Sequence, residues 1–272
     1  MATTNRTFGI EIECFNITQS KAASVISKTG IPCVAESYNH RTSSTWKVVT
    51  DVSVGAGGCE VVSPILSGED GFAQVENVCK ALTAAGATIT KKCGFHVHVS
   101  AAGLSGDDLK NIVSRYSKYE GEIDAFMGVS RRESNNNYCK SMKVWLNQVN
   151  SDHLTSAKTP NAVANVLGDR FYKVNLTSLL RQETVEFRQH NGTIHAETAV
   201  NWIKFCLNFV ETSKGTEEQR APRASEIKKQ KLIQLLTEGF NTLEYLSSET
   251  GYAEATVIVM IGKLRREGHT VV

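Results

Sequence analysis

Strict alternation of apolar and polar residues marks three segments of the chain, residues 8–14, 95–100 and 184–190. Successive side chains of an extended strand point to opposite faces, so each segment predicts a strand with one apolar and one polar face. Two further strands are expected over 46–51 and 59–65. Helical spacing predicts helices near 22–28, 72–85, 107–127, 162–167 and 196–210. In the helix that starts at Asp107, Leu109, Ile112, Val113, Tyr116, Ile123 and Phe126 fall on one apolar stripe. Together these give an α+β class: a mainly antiparallel sheet whose helices cover one face.

The periodicity fades over 213–225 (SKGTEEQRAPRAS), a polar run containing Pro222, which predicts a linker. The chain is thereby divided into a domain over 1–212 and a small module over 226–272. Helices are expected in the module over 226–238, 241–250 and 253–267, with Gly239, Gly251 and Gly268 placed to stop them; residues 269–272 begin a strand or wing. The module resembles small winged-helix or helix-turn-helix units that end phage or bacterial polypeptides. In its third helix Val257, Ile258, Ile261 and Leu264 are expected to face inward, and Lys263, Arg265 and Arg266 gather at the C-terminal end. The N-terminal turn, which such units insert into the major groove, offers Glu254, Ala255 and Thr256, a poor reader of bases. Nucleic-acid contact through 226–272 therefore stands beside protein docking or substrate positioning.

A chain of 272 residues that is 41% hydrophobic buries enough core for one enzyme-sized domain and an appendage. The net charge of +2 and pI near 8.1 supply no whole-chain attraction to nucleic acid or membrane. Seven scattered cysteines, odd in number and without a CxxC pair, fit a reducing cytoplasm better than a disulfide framework. The first residues hold no apolar leader core, and the late apolar run over 257–261 is too short to span a bilayer. A soluble, cytoplasmic protein without a membrane partner is expected.

The polar faces of the strands carry the chemistry. Residues two apart share a face at a spacing of roughly 6 to 7 Å. This pairs Glu11 with Glu13, His96 with His98, and Glu186 with Arg188 and His190. Adjacent carboxylates raise each other's pKa unless a cation neutralises them. Carboxylates with imidazoles and no thiolate cluster suit Mg²⁺ or Mn²⁺. An arginine on the same surface is what phosphoryl transfer uses to hold a γ-phosphate. There is no GxxxxGK[ST], so an ATP site here is not a P-loop, and the GAGG run at 55–58 reads as a hairpin turn. Singly, each pair also fits a solvated strand face, a structural histidine or a surface ion pair. Jointly, each alternating with an apolar set, they point to one shared site.

F-G-I-E-I-E, D-V-S followed by C-E-V-V-S-P-I-L, C-G-F-H-V-H-V-S, Y-K-V-N-L and T-V-E-F-R-Q-H-N-G-T, in that order over residues 7–210, resemble the amidoligase family, relatives of glutamine synthetase and glutamate-cysteine ligase. The resemblance implies a glutamine-synthetase-like fold, a curved antiparallel sheet with helices on its convex side. Its concave face is implied to bind ATP and two or three Mg²⁺ ions. ATP would phosphorylate a carboxylate substrate, and an amine substrate would displace phosphate to give an amide. By the same resemblance Glu11 and Glu13 match metal-ligating glutamates, as do Glu60 and Glu186. His96 or His98 matches a histidine contacting metal and nucleotide, and Arg188 the arginine facing the transferred phosphoryl group. Asp51, Arg132, Arg170, Tyr172, Lys173, Asn175 and His190 are further candidates for nucleotide or substrate, and Arg131 and Arg132 are not separable by sequence.

Two rival readings compete with the ligase. One is a zinc hydrolase on Cys93, His96 and His98, although Cys93 and His96 fall on different strand faces. The other is a non-catalytic DNA-binding adaptor on a degenerate ligase scaffold, against which the intact ExE, HxH and ExR pairs argue.

Overall fold

A computed structural model of the chain describes residues 5–39, 41–51, 54–55, 57–134, 136–149, 151–215, 224–237 and 242–266. The chain forms two compact units, residues 1–214 and 215–272.

The first unit is α+β. Its strands, β1 (Phe8–Phe15), β2 (Cys33–Ala35), β3 (Trp46–Val49), β4 (Gly58–Val62), β5 (Phe95–Ser100), β6 (Val174–Asn175) and β7 (Thr184–Phe187), make one sheet in the order β2-β3-β4-β1-β5-β7-β6. β2 and β3 pair parallel at one edge, and every other pair is antiparallel. The helices are α1 (Gln19–Ser27), α2 (Gly68–Ala84), α3 (Gly106–Lys118), α4 (Glu120–Ala125), α5 (Met142–Gln148), α6 (Ser151–Ser156), α7 (Pro160–Leu167), α8 (Leu179–Gln182) and α9 (Ala196–Ser213). Among the described residues none is long and apolar enough to cross a membrane.

Directly opposed residues of a ladder share a face. Ile10 lies opposite Val97 and Val97 opposite Phe187, while Ile12 lies opposite both Val61 and Phe95 and Val61 opposite Val48, so the apolar sets of five strands merge into one surface. Against it pack Ile26 of α1, Val75 and Leu82 of α2, Ile112 and Tyr116 of α3, and Ile203 and Val210 of α9. Burying each large side chain contributes about 1.5 to 3 kcal/mol. The same burial fixes the register, because a slip of one residue would drive the glutamates of β1 into this core.

Several boundaries differ from the sequence reading. The helix expected over 107–127 is broken at Tyr119 (φ −98°, ψ 11°), and Glu120 beyond the break turns inward onto buried Lys173. Phe126, expected on the apolar stripe, is 84% exposed. The last strand stops at Phe187, and beyond it the chain joins its neighbours through single hydrogen bonds, among them the Arg188 N–H to the Lys173 carbonyl and the Phe95 N–H to the His190 carbonyl. β2 and β6 are too short for alternation to register. The expected turn is present: Gly55 and Gly57 adopt positive φ, and the Gly58 amide donates to the Gly55 carbonyl at 3.2 Å. At Gly58 a Cβ would meet Val54 Cγ1 at 2.2 Å, which excludes any larger residue without movement.

The second unit holds α10 (Ala224–Thr237), α11 (Leu243–Thr250) and α12 (Glu254–Arg266), packed through Leu232, Leu235, Leu236, Leu246, Val257 and Leu264. Gly251 closes α11 at φ 64°. Ile258, expected to face inward, is 54% exposed, because the buried ridge of α12 runs through Val257 and Leu264 one position away. Gly239, Gly268 and the expected wing over 269–272 lie outside the described residues.

Candidate active site

Behind the core face, the register lines up the polar residues. Glu13 lies opposite Glu60, Glu11 opposite His96, and Glu186 opposite both His98 and Asn175. Neighbouring strands are about 4.8 Å apart, so residues far apart in sequence meet. His96 Nδ1 donates to Glu11 Oε2 at 2.9 Å, and His96 Nε2 lies 3.7 Å from Glu13 Oε1. His98 Nε2 lies 3.3 Å from Glu11 Oε1 and 3.9 Å from Glu186 Oε1. Glu13 accepts the Gly94 amide at 2.6 Å, and Glu186 accepts Asn175 Nδ2 at 2.5 Å and an ion pair from Arg188. Ligand atoms lie within 4.8 Å of one another in three sets: Glu11, Glu60 and His96; Glu11, His98 and Glu186; Glu13, Asp51 and Glu60. Glu11 and Glu60 each belong to two sets, so the three form a continuous strip.

The electrostatics are unbalanced. Burial, reinforced by the charges of Glu11, Glu13 and Asp51, pushes Glu60 well above the usual carboxylate range. Burial would also raise Glu11, but its close contacts with His96 and His98 outweigh it and hold that carboxyl well below its usual value. For Glu186, burial is overcome by the Arg188 charge, and the carboxyl is lowered. Burial pushes His98 towards neutrality, yet Glu186 and Glu11 raise it above the ordinary imidazole value. His98 Nδ1 shares a hydrogen bond with Thr184 Oγ1 at 3.0 Å, whereas buried His98 Nε2 has no hydrogen-bond partner. An imidazole fixed at one nitrogen and open at the other is arranged as a ligand.

This strip floors a cleft of about 890 Å³. Asp51, Arg170, Asn175 and Arg188 line it, with the floor residues Glu11, Glu13, Glu60, His96, His98 and Glu186. The structure separates the two adjacent arginines: Arg131 lines the cleft, while Arg132 turns away and donates from Nε to the Met127 carbonyl at 2.9 Å. Three other candidates lie elsewhere. Lys173 is fully buried between Glu120 and Asp124. His190 falls past the end of β7, where alternation no longer holds; it packs on Phe95 and on Trp202 of α9 and donates from Nδ1 to the Asn191 carbonyl. Tyr172 meets Trp145 edge to face outside the cleft. Cys93 joins none of the ligand sets among the described residues, which removes the thiolate of the zinc reading. Tyr38, Lys91, Lys92, Tyr138, Phe171 and Arg181 also line the cleft and were not singled out from sequence. Arg181 stands on the four-residue α8 and the others on loops or turns, all without periodicity; only the Lys91–Lys92 pair, just before the HxH strand, carried a readable signal.

The raised Glu60 has a testable consequence. In the folded protein it binds its proton more tightly than in the unfolded chain, so its contribution to stability falls as pH rises above about 4.5. Glu60→Gln removes that loss. In metal-free protein the variant is expected to melt above the wild type at about pH 8, with the margin shrinking towards about pH 4.5, and to gain less from Mg²⁺. Equal melting curves at both pH values would contradict the raised carboxyl.

A family model described as "Putative amidoligase enzyme" matches residues 4–210, more than half of the chain. None of the curated proteins matches it.

Proposed function

The chain belongs to the amidoligase family, and from that premise we propose that it is an ATP-dependent carboxylate-amine ligase that works through an acyl phosphate. The observation that carries this reading is one cleft with an acidic, histidine-bearing floor and a cationic wall containing Arg131, Arg170 and Arg188. Negative floor and positive wall suit a substrate that is itself a metal-bound polyphosphate.

The residues present fit magnesium: overlapping carboxylate sets, no thiolate among them, and an imidazole nitrogen left without a partner. Glu11, Glu13, Glu60, Glu186, His96 and His98, with Asp51 at the margin, would hold the ions. Magnesium there would neutralise charge on the transferred phosphoryl group. Arg188 is held by Glu186 and by the Tyr138 carbonyl, which accepts from its Nε at 3.4 Å. Its side chain is thereby fixed beside the floor, where its remaining donors can take γ-phosphoryl oxygens. Asn175 fixes Glu186 from the other side. Tyr138 and Phe171, edge to face at 5.4 Å, give an apolar wall for a planar base.

In this cleft a carboxylate oxygen of the acid substrate attacks the γ-phosphorus and ADP leaves. The amine nitrogen then attacks the acyl carbon, the acyl–oxygen bond breaks, and the amine proton ends on the released phosphate. Holding acid and nucleotide together supplies the proximity this sequence needs.

Thermal melting tests the reading. Mg²⁺ with ATP near a hundredfold above its dissociation constant is expected to raise the wild-type melting temperature by about 5 to 10 °C. Glu13→Ala, which lacks one floor carboxylate, is expected to lose most of that shift. A wild type indifferent to Mg²⁺ and ATP together would sink the proposal.

A further inference from the structure

Three cationic side chains are buried among the described residues: Lys47, Arg131 and Lys173. Two of them are matched. Lys173 meets the carboxylates of Glu120 and Asp124. Lys47 directs its ammonium donors to Asn39 O, Asn39 Oδ1 and Arg41 O.

Arg131 is not matched in this way. It is 3% exposed and forms part of the cleft wall. Its Nη2 donates to the Lys92 carbonyl at 3.1 Å, and it meets the Cys139 thiol. Its Nε has no hydrogen-bond partner, and no ion pair of Arg131 is found among the described residues. A buried guanidinium without a counter-ion is costly unless an anion joins it, and its planar fork matches a carboxylate or phosphoryl group. Arg188 differs, because Glu186 already balances it.

The surroundings fit an anion. A Cβ on Gly94 would lie 3.1 Å from Arg131 Nη2 and 2.7 Å from His96 Nε2, so guanidinium and imidazole converge beside Gly94. Lys91 and Lys92 line the same cleft. We propose that Arg131 anchors a substrate oxyanion, a carboxylate or a phosphoryl group, separate from the one facing Arg188; its assignment to a substrate rests on the ligase reading.

The test is calorimetric titration of inorganic phosphate, and separately of glutarate, into full-length wild type, Arg131→Gln and Arg131→Lys with Mg²⁺ present. Wild type is expected to bind at least one of these anions, and Arg131→Gln to bind it about tenfold to a hundredfold more weakly. Loss for phosphate alone identifies a phosphoryl subsite, and loss for glutarate alone a carboxylate subsite. Should Arg131→Gln not fold, Arg131→Lys is read by the same criterion, since an ammonium cannot make the two-pronged contact. Unchanged binding in the folded variant, or a wild type that binds neither anion, overturns the proposal. ATP with Mg²⁺ is titrated in the same series. A wild type that binds an anion through Arg131 but does not bind ATP would refute the ligase reading and leave the anion site standing.

Discussion

Arg188→Ala is expected to lower Mg²⁺-dependent ATP turnover about 10³-fold or more, the scale on which an arginine stabilises a transferred phosphoryl group. The expectation follows from position. Arg188 lies just past the end of β7, its backbone N–H donates to the Lys173 carbonyl at 2.8 Å, and its guanidinium pairs with buried Glu186. Main chain and side chain are thus both fixed next to the floor. Arg188→Lys keeps the charge but not the fork, and an intermediate rate is expected. Steady-state rates on variants whose circular dichroism matches the wild type provide the measurement. Full turnover in Arg188→Ala would remove this residue from the chemistry.

The second large effect is structural. Lys173→Met is expected to destabilise the first unit by about 3 to 5 kcal/mol, the range for breaking a buried ion pair from one side. The ammonium lies 2.5 Å from Glu120 Oε1 and 2.6 Å from Asp124 Oδ1. Both carboxylates are buried and held in place: Glu120 also accepts Ser141 Oγ and the Lys143 amide, and Asp124 accepts Gln189 Nε2. Without Lys173 two charges would remain in the interior. Glu120→Gln in the Lys173→Met background is expected to recover part of the loss, because it removes one of those charges. Urea denaturation followed by fluorescence measures both, and a loss below about 1 kcal/mol would show that the triad tolerates the missing charge.

The contrast between Lys173 and Arg188 marks what sequence could and could not provide. The strand over 95–100 was legible to the residue, and the one from Phe8 to within a residue, since each alternates cleanly and pairs along most of its length. That alternation also put Glu11 with Glu13 and His96 with His98 on the face away from the core. Which strands were neighbours was not legible. The meeting of Glu13 with Glu60, or of His98 with Glu186, depends on the order β4-β1-β5-β7, which no local pattern encodes. Beyond the strand ends the periodic argument fails. His190 was placed with Glu186 by extending β7 past Phe187, where the chain turns its imidazole onto α9 instead. Lys173 was a candidate for nucleotide or substrate within the Y-K-V-N-L segment; only the fold reveals the two carboxylates of α4 that hold it. Arg131 and Arg132 are neighbours in sequence, and a 3₁₀ turn at Val129–Arg131 decides which one enters the cleft wall.

The most direct test of the central claim is release of ADP and phosphate from ATP, with Mg²⁺, by the purified chain supplied with pooled acids and pooled amines, together and separately. The account predicts release that requires Mg²⁺ and both pools and falls when either pool is withheld. Release of equal size with no acid and no amine, or none under any combination, would contradict a carboxylate-amine ligase.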